Sequence, residues 1–158
     1  WRQPKPIIAG ILVATLANHA GAAWLGAWLT SVVDPAWMRW ILGGSFLAVA
    51  LWMLVPDEVD ASASHGPGRL GVFGITVVAF FLAEMGDKTQ IATVMLAAKY
   101  PSLQAVIVGT TLGMMIANVP AVLLGERAVR LVPAEWVHRI AAAVFALLGL
   151  AVLAGWGG

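Results

Sequence analysis

The 158-residue chain contains no cysteine, which excludes disulfides, thiolate metal sites and cysteine nucleophiles, so that any metal it binds is held by oxygen or histidine. Charge is scarce as well. Asp, Glu, Lys and Arg together make up 11% of the residues, where a soluble domain carries about a quarter. The formal net charge is +1, and no basic face interleaved with aromatic residues is visible, so nucleic-acid binding is set aside. No signal-peptide pattern precedes the first apolar run and the first residue is Trp1, so the chain is expected to lack its natural start.

What is present is apolar. Hydrophobic residues make up 61% and the mean hydropathy is +0.89. A soluble fold of this length has too little interior to hide so much apolar surface, so most of it faces lipid or other membrane helices. The composition therefore predicts an all-α, polytopic membrane protein. At roughly 20 apolar residues per crossing, five spans are expected, at 6–30, 37–55, 70–97, 104–125 and 137–156. Asp34-Pro35, Tyr100-Pro101 and Val132-Pro133 mark boundaries between them. Several of the eight tryptophans, among them Trp37, Trp40, Trp136 and Trp156, fall near span ends as interfacial anchors. Gly43-Gly44, and Gly109 with Gly113, suggest close helix packing.

The two halves resemble each other at an offset of 99 residues. Gly10 matches Gly109, Leu25-Gly26 matches Leu124-Gly125, Trp37 matches Trp136 and Phe46 matches Phe145. The span at 70–97 then has no counterpart, because its partner would precede residue 1. The expected architecture is two inverted three-helix repeats, with five of six transmembrane helices present, a transporter design whose site lies where the repeats meet. Residues 1–55 form a first repeat lacking its first helix, 56–69 a loop, and 70–158 the second repeat. Arg2, Lys5, Arg69, Arg127, Arg130 and Arg139 fall on one side and Arg39 and Lys99 on the other. The side richer in cations, with the 56–69 loop, is expected to be cytoplasmic.

Chemistry concentrates in one span, which reads Glu84-Met85-Gly86-Asp87-Lys88-Thr89-Gln90 between apolar runs. A carboxylate centred in a bilayer costs about 2.5–3.5 kcal/mol on insertion scales, so it faces a partner, a water-filled cavity or an ion. On a continuous helix, Glu84, Asp87 and Gln90 share one face and make an oxygen-lined stripe. Hard dications such as Mn²⁺, Ca²⁺ and Mg²⁺ favour such oxygens, and a second helix must complete the shell. Gly86 could let the helix loosen and offer carbonyls. The plainer alternative is a local Glu84–Lys88 ion pair at a helix end, but the apolar flanks and the accompanying Thr and Gln favour a site. Asn18 and Asn118 either bond a neighbouring helix or lend oxygen. Thr89 and Thr93 line the path or bond their own backbone. His19 relays protons or is a satisfied interhelical histidine. His65 and His138, in loops or at a span end, are read as solvated.

Glu84-Met85-Gly86-Asp87-Lys88-Thr89 resembles the Glu-x-Gly-Asp-(Lys/Arg)-(Thr/Ser) signature of the GDT-type cation/proton exchanger family, which includes bacterial manganese exporters and Golgi manganese/calcium transporters. The segments Leu16–His19 and Gly109–Asn118 look like the helices following that family's first and second motifs, so the likeness covers nearly the whole chain. The resemblance implies six spans in two inverted halves, each opening with one copy of the signature, of which only the second is present here. It also implies that Glu84 and Asp87 bind cation alongside an acidic pair upstream. The expected function is Mn²⁺ export, with Ca²⁺ as competing cargo, in exchange for protons across a bacterial inner membrane. The expected ligands are Glu84, Asp87, Gln90, Asn118, Asn18 and Thr89. The partners are the divalent ion, protons and the lipid bilayer, with a homo-oligomer left open, and no cofactor beyond the transported metal is expected. The rival readings are an exporter of small organic solutes, in which Asp87 meets an ammonium group, and a membrane assembly subunit. An intramembrane enzyme lacks a Ser/His or His/Glu/His constellation at catalytic spacing.

Overall fold

The computed structural model describes residues 3–55, 71–125 and 133–156. The 56–69 loop, His65, Arg2, Arg69, Arg127 and Arg130 lie outside the described residues. Within them the chain is all-helical, with α1 at Pro4–Val32, α2 at Pro35–Met53, α3 at Gly71–Glu84, α4 at Lys88–Lys99, α5 at Leu103–Leu124 and α6 at Ala134–Leu153. Helices α1, α2, α5 and α6 are long and apolar enough to cross a membrane.

Local chemistry sets the ends. Pro35 opens α2 behind the N-cap Asp34, whose carboxylate accepts from the Ala36 amide at 2.8 Å, satisfying one of the donors that a helix start leaves without a partner. Ser102 caps α5 by accepting from the Ala105 amide at 3.3 Å. Tyr100 is extended, at φ −107° and ψ 133°, because the following Pro101 disfavours helical geometry there. Trp37, Trp40, Trp136 and Trp156 are exposed near helix ends.

The single span expected over 70–97 is two half-helices. α3 stops at Glu84 and α4 restarts at Lys88, with Gly86 at φ +81° between them. That left-handed backbone suits glycine and strains residues carrying a Cβ.

Helix α1 lies along both half-helices in the same direction. Near its start Gly10 faces Phe73 and Thr76 of α3, and near its end Gly26 sits against the Val94 carbonyl and Ala97 of α4. A side chain at Gly26 would collide with that carbonyl. Between membrane helices, where lipid removes the hydrophobic drive, such backbone approach supplies the packing attraction. The buried face of α1 reads Gly10, Ile11, Ala14, Thr15, Asn18, His19, Ala22, Ala23, Gly26, a helical stripe of mostly small or polar residues. A second layer joins α2 to α6, where Phe46 stacks on Phe145 with ring centroids 6.0 Å apart and Leu42, Val49, Met53 and Val152 complete an apolar cluster with Met95 of α4. Gly43 packs on Leu153 and Gly149 as expected, but Gly44, Gly109 and Gly113 meet nothing within 4 Å, so close packing at those three is not found among the described residues.

Candidate metal site

The break between α3 and α4 gathers the polar residues that the sequence set in one stripe, by a different geometry. Glu84 is the last residue of α3 and is buried, at 8% exposure. Asp87 is the N-cap of α4, and its carboxylate accepts from the Thr89 amide at 3.3 Å. The Thr89 hydroxyl lies 2.8 Å from Oδ2 of Asp87 and 3.5 Å from Oε2 of Glu84. One hydroxyl hydrogen is thus offered to both carboxylates, and Thr89 ties them together across the break. Gln90 turns its side-chain oxygen back to the Gly86 amide at 2.6 Å, clamping the turn. The continuous helix face assumed for Glu84, Asp87 and Gln90 is therefore replaced by a folded-back turn, as is the i, i+4 geometry that a Glu84–Lys88 pair presupposed.

Two neighbours hold the turn in place. Asn18, 3% exposed, donates from its amide to the Phe81 carbonyl at 3.1 Å. Phe81 is in the last turn of α3, whose carbonyls have no partner within the helix, so Asn18 supplies one from α1. Lys88 is buried and reaches across to α2, donating to the Val55 carbonyl at 2.7 Å with its ammonium 5.7 Å from the centre of the Trp52 ring. Sequence reasoning did not find that reach, because nothing local to Lys88 indicates which helix end lies beside it.

The remaining expectations divide. Asn118 donates to the Met114 carbonyl of its own helix at 2.9 Å, so it is engaged within α5 and makes no bond to the turn. Thr93 bonds the Thr89 carbonyl at 2.8 Å, the own-backbone alternative. His19 is buried at 1% exposure, and among the described residues neither of its ring nitrogens has a hydrogen-bond partner. The satisfied interhelical histidine is thus not what is found. The hydroxyls of Thr15 and Thr111, equally buried, are also without partners among the described residues. Thr15 and His19 were detectable as an i, i+4 pair on one face of α1.

Among the described residues no three His, Cys, Asp or Glu side chains converge as a metal cage. The oxygens at the turn are those of two carboxylates, a hydroxyl and an amide, since the carbonyls of Phe81, Leu82 and Glu84 at the end of α3 already accept from Asn18, Met85 and Asp87. That donor chemistry suits a hard dication and supplies part of its shell.

Comparisons with known proteins supply the family. The family model described as divalent cation/proton antiporter GDT1 matches residues 1–61 and 72–156. The chain belongs to that antiporter family. It is an integral membrane protein of a transporter class. It is 48% identical over 152 residues to a Vibrio cholerae serotype O1 protein described as "Putative manganese exporter", an alignment covering 96% of this chain and 75% of that protein. It is also 32% identical over 92 residues to the rice "GDT1-like protein 5", covering 58% of this chain and 38% of that one. No solved structure matches the chain.

Proposed function

We propose that this GDT1-family antiporter exports Mn²⁺ from the cytoplasm across a bacterial inner membrane in exchange for protons, with Ca²⁺ the competing cargo, and that Glu84 and Asp87 are the groups over which metal and protons compete. The observation that carries the reading is the Thr89 hydroxyl set between the two carboxylates at a helix break. Family membership and the name of the Vibrio relative support it.

The two acids are held differently. Asp87 is fixed by the Thr89 amide and hydroxyl, so its free lone pairs point from a constant position. Glu84 accepts one long bond from Thr89 and is the less tethered of the two. In this mechanism Asp87 anchors the cation while Glu84 swings between ligating metal and carrying a proton. Exchange then needs no separate proton site, since one carboxylate cannot hold both ions at once. Thr89 lends its oxygen to the metal once its hydrogen turns away, and Gln90 keeps the turn closed through the Gly86 amide. Met85 and Gly86 are exposed, which leaves one side of the turn open. There an acidic pair from a repeat-related segment upstream of Trp1 would complete the shell, and alternating access would rock one repeat against the other. The loop at 56–69 is assigned to the cytoplasmic side on the cation count.

Everted membrane vesicles test the reading. An imposed proton gradient should drive Mn²⁺ into them, Ca²⁺ should compete, and a protonophore should abolish uptake. Uptake indifferent to the protonophore would reject proton exchange, and uptake of neither metal would reject the cargo.

A further inference from the structure

Away from the carboxylates, an apolar groove runs between α1, α2 and α4 that cation exchange does not use. It consists of two adjoining cavities of about 330 and 360 Å³, with Val33, Met38, Leu42 and Ala98 on the walls of both. Its mouth lies where α1 and α4 end and α2 begins, and is lined by Arg39, Lys99 and Trp156. From there it follows α2 to Trp52.

Three features define what would fit. The first is charge. Arg39 is exposed, with its guanidinium 5.0 Å from the centre of the Trp40 ring. Lys99 donates to the Trp156 carbonyl at 3.1 Å, which holds its ammonium beside the same opening. Among the described residues no acidic side chain lines either cavity, and the carboxylate of nearby Asp34 is turned to the Ala36 amide. Two cations over an apolar slot repel a dication and attract an anion. The second is polarity. The inner cavity carries one hydroxyl, that of Ser45, among aliphatic and aromatic side chains. The third is shape. Arg39 to Trp52 along α2 spans about 20 Å at ~1.5 Å per residue, somewhat more than the ~15 Å of one leaflet's hydrocarbon. Spread over that length, the cavities are much narrower than a helix of ~10 Å diameter.

We infer that the groove binds one anionic phospholipid, its phosphate at Arg39 and Lys99 and an acyl chain lying between α2 and α4 toward Trp52. The lipid would fill the seam between the α1–α2 pair and the half-helix that follows the metal turn. An aromatic such as Trp156 at the mouth suits the headgroup level.

The test is native mass spectrometry of the full-length protein in detergent, given equal amounts of phosphatidylglycerol and phosphatidylcholine with identical chains. The expected result is retention of phosphatidylglycerol over phosphatidylcholine by about tenfold or more, the preference that two interfacial cations give. In the R39Q/K99Q double variant the preference should fall to near one, and in Arg39→Lys it should persist. Leu42→Trp, which fills the groove without touching the cations, should lower retention of both lipids. Equal retention by the unaltered protein, an unchanged preference in R39Q/K99Q, or undiminished retention in Leu42→Trp would each overturn the assignment. Metal exchange by the same preparations, measured separately, shows that a variant is folded.

Discussion

Helices α1 and α5 begin 99 residues apart, at Pro4 and Leu103, and α2 and α6 repeat the interval at Pro35 and Ala134. Their surroundings nevertheless differ. In α1, 44% of the most apolar stretch is buried, against 11% in α5. Gly10 abuts the Thr76 side chain and the Phe73 carbonyl, whereas a Cβ at its counterpart Gly109 would meet no described residue within 4 Å. Asn18 reaches the loose Phe81 carbonyl of α3, while Asn118 turns back to Met114 in its own helix. Helix α1 packs along both half-helices, whereas α5, among the described residues, packs chiefly on α1 and on the end of α4 near Ala97. The difference teaches that a small residue and an asparagine acquire their roles from the half-helices they support. It also motivates our proposal that the halves are inverted repeats and that a second broken helix, with its own acids, lies against α5.

Breaking the turn itself gives the largest effect short of removing an acid. Thr89→Val deletes the shared hydroxyl at nearly constant volume and should weaken the apparent Mn²⁺ affinity of transport about tenfold, the loss of one good hydrogen-bonding group at ~1.4 kcal/mol. Thr89→Ser should stay close to normal. Concentration dependence of uptake in vesicles decides it, and an unaffected valine variant would show that Thr89 does not link the acids.

Stability of paired substitutions sharpens the comparison of α1 with α5. Gly10→Leu drives a side chain into Thr76 and should cost about 1–3 kcal/mol. If a second broken helix covers α5, Gly109→Leu in the full-length protein costs a similar amount. Thermal unfolding in detergent reads both, and a neutral Gly109→Leu would argue that α5 faces lipid. The asparagines are expected to differ least. Asn18→Ala, which strips a carbonyl of its partner, should cost about 0.6–1.7 kcal/mol, the range for polar contacts within membranes. Asn118→Ala should match it only if Asn118 has a target on a neighbouring helix.

The long helices were legible because a bilayer fixes their length: the spans expected at 6–30, 37–55, 104–125 and 137–156 are found within a few residues at each end. The acids were legible because charge inside an apolar run has few innocent explanations. Their arrangement was not. Spacing by three predicts a shared helix face only while the helix continues, and Gly86 ends it at φ +81°. The glycine was visible as a possible loosening, but a positive φ is a property of the folded backbone. Thr89 as the bridge and Lys88 as the arm to Val55 follow from that turn and from the position of α2, which no local pattern encodes. That the His19 nitrogens meet no partner among the described residues likewise depends on what packs against α1, which no local pattern encodes.

Glu84 is where the account is most exposed. Full-length protein in proteoliposomes, with internal pH followed as Mn²⁺ is added, should show metal-dependent proton flux that Glu84→Gln reduces to background while the variant still folds. Flux persisting in Glu84→Gln at the unaltered protein's rate would contradict the assignment of metal and proton competition to the carboxylates at the α3–α4 break.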